Sequence, residues 1–505
     1  MPPQRASRSV RRGNGHTSTP RPHSQTHGRR DYSASGEHAL PPLPKTRLNK
    51  KQLGTPAPLN PVPSIPLHAR PALQLWVWGD GGCGQFGLGH DTMNTNQTDF
   101  PKPRRNWWVD EQIQAGTFGA VGAGVESIAA GGMHTLFIDE SGKVWSCGDN
   151  DNAALGRITS NQLHDSGSEI DTEELEALPH PIQTLVDENF RAVKVAAGDS
   201  ISCAISSEGA LRAWGSFKES AGSMRFATGV KHQFLPKAVL DLNNKSGGYK
   251  KFVDCAAGNN HLVVLTTNGQ VYCWGYGEVG ELGHKILERH KTTSTVPYKI
   301  LLGTRTRKAV AIGAGNHNSF AIDEQGDVWA WGLNSLGQAG TGLVDTDEEV
   351  VHCPKRVLGL SKKDLDGDVV VQIAGGEHHT LFLTAAGKVY ACGRADWGQL
   401  GLPQNHDVFK NQDYKKAFVP RPTVVEVADA DDAVVHIAAG TNSSMAVTRL
   451  GALYAWGGDS RNEMGLGRND APTPAVVVRK EGGSWSAVSV ACGGQHTLGL
   501  FRKKA

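Results

Sequence analysis

The sequence has no Cys-x-x-Cys pair, no apolar run near the roughly 18 residues that a membrane helix needs, and no apolar core near its N-terminus. These absences predict a soluble chain that is not exported by a signal peptide. They also speak against a paired-cysteine zinc site. There is no nucleophile elbow and no HExxH motif, so hydrolase chemistry has no support. The eight cysteines, Cys83, Cys147, Cys203, Cys255, Cys273, Cys353, Cys392 and Cys492, often sit in apolar runs. Free thiols in a reducing compartment are expected, rather than disulfides.

Net charge is scarce as well, at +2 from 52 basic and 50 acidic side chains. The balance hides a division, because residues 1–70 carry 12 basic and 2 acidic side chains, which leaves 40 and 48 for the rest. Twelve of the 25 prolines fall in that same segment, a composition too poor in apolar side chains to offset the entropy of ordering. Residues 1–70 are therefore expected to be a disordered basic tail, and residues 71–505 a folded, acidic body. Within the tail, Arg5, Arg8, Arg11, Arg12, Arg29 and Arg30 lie among small polar residues, a pattern that holds DNA phosphates by charge. Lys45, Arg47, Lys50 and Lys51 form a short basic run of the nuclear-import kind.

The body is an internal repeat. A Trp-Gly, Cys-Gly or related dipeptide ends in Gly79, Gly148, Gly215, Gly275, Gly332, Gly393 and Gly457, so that seven copies follow one another at similar intervals. A second glycine precedes each of the last six at one constant spacing, at Gly131, Gly198, Gly258, Gly315, Gly376 and Gly440, and a seventh such corner stands at Gly493. A third glycine follows each of the first six corners, again at one constant spacing, as at Gly142 and Gly269. The stretches between place β-branched and aromatic residues at strand spacing, and the turns carry glycine where positive φ is needed. Four strands per unit and seven units predict an all-β fold, a seven-bladed β-propeller in one domain. The first Trp-Gly has no corner strand before it, and the last corner has no Trp-Gly after it. The ring is thus expected to close by pairing N- and C-terminal strands, Leu73 to Trp78 with Val488 to Phe501.

Comparing the repeats with one another separates fold residues from functional ones. Two GxGxxG matches, at 79–84 and 275–280, occupy the same repeat position and open no helix, so they do not read as dinucleotide sites. His134, His261, His379 and His496 recur at the third position past a corner and read as structural hydrogen-bonding groups; the repeat tryptophans read as packing. Three features do not recur. The third copy has Ser223 where six others have a loop-closing glycine, so the loop Lys218 to Phe226 is expected to meet a partner. The pairs Asp199-Ser200, Asn259-Asn260, Asn316-His317, Glu377-His378 and Thr441-Asn442 differ from blade to blade and are expected on one face. Two long connections also stand out. Residues 165–188 are acidic and expected to be a solvated excursion, whereas residues 284–308 carry Lys285, Arg289, His290, Lys291, Lys299, Arg305, Arg307 and Lys308 and suit an acidic partner.

Seven units with an Ala-Gly-x-x-His corner, Trp-Gly and Gly-x-Leu-Gly resemble the regulator of chromosome condensation repeat family over residues 73–505. The third copy, Trp214-Gly-Ser-Phe217 and the loop after it, is similar to the wedge of family members that exchange guanine nucleotide on the nuclear GTPase Ran. The resemblance implies an exchange factor without covalent chemistry or cofactor. Its wedge would be Lys218, Glu219, Ser220, Ala221, Gly222, Ser223, Met224 and Arg225, supported by Asp199, Asn260, His378 and His496. It implies a nuclear, chromatin-associated chain with Ran, nucleosomal histones and DNA, and an import receptor as partners, and with Arg289, His290 and Lys291 against the histones. Gly82 and Asn260 depart from the family pattern, which can have Asp there. The repeat alone also fits a scaffold that binds chromatin or another protein without exchanging nucleotide. The Gly-Trp-Arg-His-Thr signature of plant ultraviolet receptors, which share the repeat, is absent.

Overall fold

A computed structural model of the chain describes residues 58–89, 98–164, 166–219, 222–240, 251–286, 294–342, 349–410, 417–427, 431–467 and 469–504. The tail arginines Arg5, Arg8, Arg11, Arg12, Arg29 and Arg30, the import run Lys45, Arg47, Lys50 and Lys51, and Arg289, His290, Lys291, Ser220 and Ala221 lie outside the described residues.

Seven four-stranded antiparallel sheets form the blades of a propeller. The blade that shuts the ring is ordered Asp99–Arg105, Gln74–Asp80, His496–Lys503, Trp485–Cys492, two strands from each end of the domain. Residues 74–79 pair with residues 501–496 in unbroken register. The second to seventh blades follow in chain order, beginning with Val125–Ala130, Ala192–Ala197, Phe252–Ala257, Ala309–Ala314, Val370–Gly375 and Val434–Ala439. These first strands line a central channel of about 600 Å³. The strands next to them, such as His134–Asp139 and Ile201–Ser206, are buried at every residue, because each sheet is covered on both faces by its neighbours.

The corner glycines follow from how closely blades approach near the axis. The Gly198 amide donates to the Ile201 carbonyl at 2.7 Å, and a Cβ on Gly198 would lie 2.3 Å from the Gly258 carbonyl oxygen of the next blade. The amides at and just past the corners then bond from blade to blade. Gly494 donates to Gly131, Gly132 to Gly198, Asp199 to Asn259, Asn259 to Asn316, Asn316 to Gly376 and Glu377 to Thr441, at 2.9–3.4 Å.

The recurring histidines tie the same blades together deeper in the wall. His134, His261, His379 and His496 sit 2.8–2.9 Å from the hydroxyls of Ser202, Ser319, Ser444 and Thr135 in the following blade. Each hydroxyl donates its proton to a loop carbonyl, as Ser319 does to Glu281 at 2.8 Å, so the imidazole Nε2–H must be the donor to the hydroxyl. The Glu281 carbonyl also accepts from the Trp331 indole at 2.8 Å. Trp78, Trp214, Trp274, Trp331 and Trp456 are all fully buried, in keeping with their expected packing role.

Three expectations change. Residues 58–70 do not belong with the tail: Asn60 is buried, its Nδ2 donating to Thr266 and Ala309 carbonyls at 3.1 and 3.0 Å, and Arg70 forks onto Glu140 at 2.9 and 2.8 Å. Pro58, Pro61, Pro63 and Pro66 explain this, since a chain already restricted in φ loses little entropy when it docks. Residues 165–188 are not wholly a solvated excursion, because they supply the outermost strand of the second blade, His180–Pro181, and bury Ile182 and Leu185. In the basic connection, Arg307 is committed within the fold: it pairs with Asp323 and with Asp327 at 2.9 Å, and lies over the Trp329 ring.

Candidate functional site

One hydrogen bond recurs in every blade and defines a face. The amide after each repeat glycine donates to the carbonyl of the second residue past the corner: Asp80 to Gln495, Asp149 to Met133, Ser216 to Ser200, Tyr276 to Asn260, Leu333 to His317, Arg394 to His378 and Gly458 to Asn442, at 2.8–3.1 Å. Corner residues and the loops after Trp-Gly are thereby brought together. Asp199, Asn260 and His378 all lie on this face and are partly exposed.

The third blade interrupts the face with a hairpin. Phe217–Lys218 pairs with Met224–Arg225. At its tip, the Glu219 amide donates to the Ser223 carbonyl at 2.9 Å and the Gly222 amide to the Glu219 carbonyl at 2.8 Å, with Gly222 at φ 85°. Ser223 Oγ donates to the Glu219 carboxylate, which the Tyr276 hydroxyl of the fourth blade also reaches at 3.5 Å. The base is apolar: Phe217 and Phe226 are buried and stack with ring centroids 6.4 Å apart. Phe226 therefore anchors the element instead of meeting a partner, which shortens the expected contact segment by one residue. Asn260 holds the base from the next blade, its Oδ1 accepting from the Lys218 amide at 2.7 Å. An Asp there would offer the same acceptor, so this departure from the family pattern keeps the contact.

The face is acidic. Asp80, Asp149, Asp199, Glu219, Glu377, Asp396 and Asp459 are set against Lys218, Arg225, Arg394 and Arg461, of which Arg394 pairs with Asp396 at 2.6 Å and Arg461 with Asp80 at 2.9 Å. Burial raises the Asp199 carboxyl above its usual range; the Lys218 ammonium opposes this and Asp149 adds to it. Asp149 is raised in the same way, first by burial. His378 is lowered by burial, with neighbouring Glu377 pulling it back. A cationic surface docking here would relieve the crowded carboxylates.

His496 stands apart from the other three. It is fully buried in the wall, bonded to Thr135 at 2.9 Å, and burial lowers its pKa to about 3. Two contributors lie outside the wedge and supporting residues expected from sequence: Phe217, named there only within the Trp214-Gly-Ser-Phe217 motif, and Tyr276. The only signal for Tyr276 is that it stands at a position where the other copies have Asp80, Asp149, Ser216, Leu333, Arg394 and Gly458. Among the described residues, no group of three or more His, Cys, Asp or Glu side chains is placed to hold a metal ion.

The RCC1-like domain profile matches residues 74–499. Guanine nucleotide exchange factor SRM1 of Saccharomyces cerevisiae is 33% identical over 446 residues, covering 84% of this chain and 86% of that protein. A solved structure of Prp20p from Saccharomyces cerevisiae, described with its binding properties to Gsp1p and histones, is 31% identical with a TM-score of 0.73, covering 87% of this chain and 93% of that one. The structure of yeast RCC1 (Prp20) with Kap60 bound is 31% identical with a TM-score of 0.75, covering 92% and 97%.

Proposed function

The chain belongs to the RCC1-like domain family, and from that membership we propose that it is a guanine nucleotide exchange factor for a nuclear GTPase of the Ran type. The observation that carries this reading is the hairpin at 217–225, the one loop that replaces a compact glycine turn, standing on the same face as Asp199, Asn260 and His378. The acidic face receives a basic surface of the GTPase, and the hairpin enters near its phosphate-binding loop. There, backbone N–H groups and Mg²⁺ hold the nucleotide, so displacing them weakens its grip. No covalent bond changes. Tight binding to the nucleotide-free GTPase and weakened nucleotide affinity are the same coupling seen from two sides.

Asp199 and His378 contact the GTPase directly, Asn260 positions the hairpin, and His496 supports the wall beneath. The relatives described with histones and with Kap60 support a chromatin-associated nuclear chain, with Arg289, His290 and Lys291 toward histones, the tail arginines toward DNA, and the run at 45–51 toward an import receptor.

Release of fluorescent GDP from a Ran-type GTPase tests the reading. The chain is expected to accelerate release at micromolar concentration. Replacing residues 218–224 by Gly and Ser, with Phe217 and Phe226 kept, should abolish acceleration while leaving the melting temperature nearly unchanged. A chain that binds chromatin but never accelerates release would instead be a scaffold.

A further inference from the structure

At the fourth position past the repeat glycine, the hairpin carries Glu219, and the next three blades carry Val279, Leu336 and Trp397. Each of these three amides donates to a side-chain oxygen two positions on, Val279 to Glu281 at 2.8 Å, Leu336 to Gln338 at 2.9 Å and Trp397 to Gln399 at 3.0 Å. The same bond holds Cys83 and Arg461 in the first and seventh blades, so this repeated device fixes the matched position around the ring, and three consecutive blades place apolar side chains there, in an arc that begins at the hairpin and ends in the sixth blade. Val279 and Leu336 are partly covered, whereas Trp397 is 48% exposed, the most open tryptophan among the described residues.

The indole has a fixed seat. Gly458 of the seventh blade lies beneath it, and a Cβ on Gly458 would come within 2.9 Å of the Trp397 ring. A large aromatic side chain held in place with half its surface in water has little entropy left to lose on binding, which is the chemistry of an interface anchor. Beside it in the chain stands Asp396, paired to Arg394 at 2.6 Å.

We propose that Trp397 is an aromatic anchor for the GTPase: a partner seated on the hairpin extends along the Val279 and Leu336 arc and buries the Trp397 indole against an apolar pocket rimmed by basic residues. This inference rests on the exchange reading and adds the far end of the contact. The full-length chain, Trp397→Ala and Trp397→Phe are compared in GDP release across GTPase concentrations and, separately, in calorimetric binding of nucleotide-free GTPase. Trp397→Ala is expected to raise the half-saturating GTPase concentration by about tenfold or more, with the limiting rate within about twofold. Trp397→Phe should recover most of the loss, and melting should be unchanged in both. Half-saturation and affinity unaltered in Trp397→Ala would overturn the anchor. Full-length chain that binds without accelerating release, with affinity falling in Trp397→Ala, would overturn the exchange reading and keep the anchor. Neither binding nor acceleration by the full-length chain would overturn both.

Discussion

A buried imidazole bonded to a hydroxyl makes the ring's cohesion depend on pH. Burial lowers His134 and His379 to about 4, and His261 and His496 to about 3, against an unfolded value of 6.5. A group whose folded pKa lies below its unfolded one leaves the native state unprotonated while the unfolded chain takes up protons. Its stabilisation is therefore complete above pH ~6.5 and declines as pH falls toward about 4. Each such histidine contributes a slope of about 1.4 kcal/mol per pH unit in that window. Melting temperature is expected to drop between pH 7 and pH 5 in dilute buffer. His261→Gln should melt lower at pH 7, because the Ser319 hydroxyl loses its histidine donor, yet show a flatter pH profile. A variant with the same slope as the parent chain would refute the assignment.

At the scale of an element, the hairpin owes its position to its neighbours. Its tip is held by its own turn, but the Lys218 amide is satisfied by Asn260 and the Glu219 carboxylate is reached by Tyr276, both from the fourth blade. Asn260→Ala leaves that amide without its partner and loosens the hairpin on its stem, so GDP release should slow about five- to tenfold with little change in melting. Asn260→Asp keeps an acceptor and should retain most of the rate; a loss equal to that of alanine would show that the amide bond is not what matters. Sequence reading reached this element because Ser223 breaks a glycine rule that six sibling loops obey. It missed the form, treating the segment as a loop through Phe226, because two residues per strand are too few to show alternation and the stacking of Phe217 on Phe226 is tertiary. The corner glycines were legible for the opposite reason: one steric constraint, the approach of the next blade's backbone, acts at every copy and leaves the same mark each time. Asn60 left no such mark, since its partners at Thr266 and Ala309 are 206 and 249 positions away along the chain.

For the whole molecule, closure decides whether the other contacts persist. His496–Lys503 lies between strands from both ends of the domain, pairing with Gln74–Asp80 on one side and Trp485–Cys492 on the other. It also carries Leu498, Leu500 and Phe501, all buried, and the His496 bond to Thr135 that joins this blade to the second. Deleting residues 496–505 would therefore expose two facing strand edges inside the closing blade, where the strands from the two ends of the domain meet without a chain connection, remove an apolar layer against Trp78, and break the His496 bond to the second blade. Because each blade is covered by its two neighbours, the loss should not stay local. The truncated chain is expected to elute as aggregate in size-exclusion chromatography and to lose its cooperative melt, whereas removal of residues 1–57, which leaves Asn60 and Arg70 in place, should preserve both. A truncated chain that stays monomeric with an unchanged melt would show that the terminal blade is not what holds the ring shut.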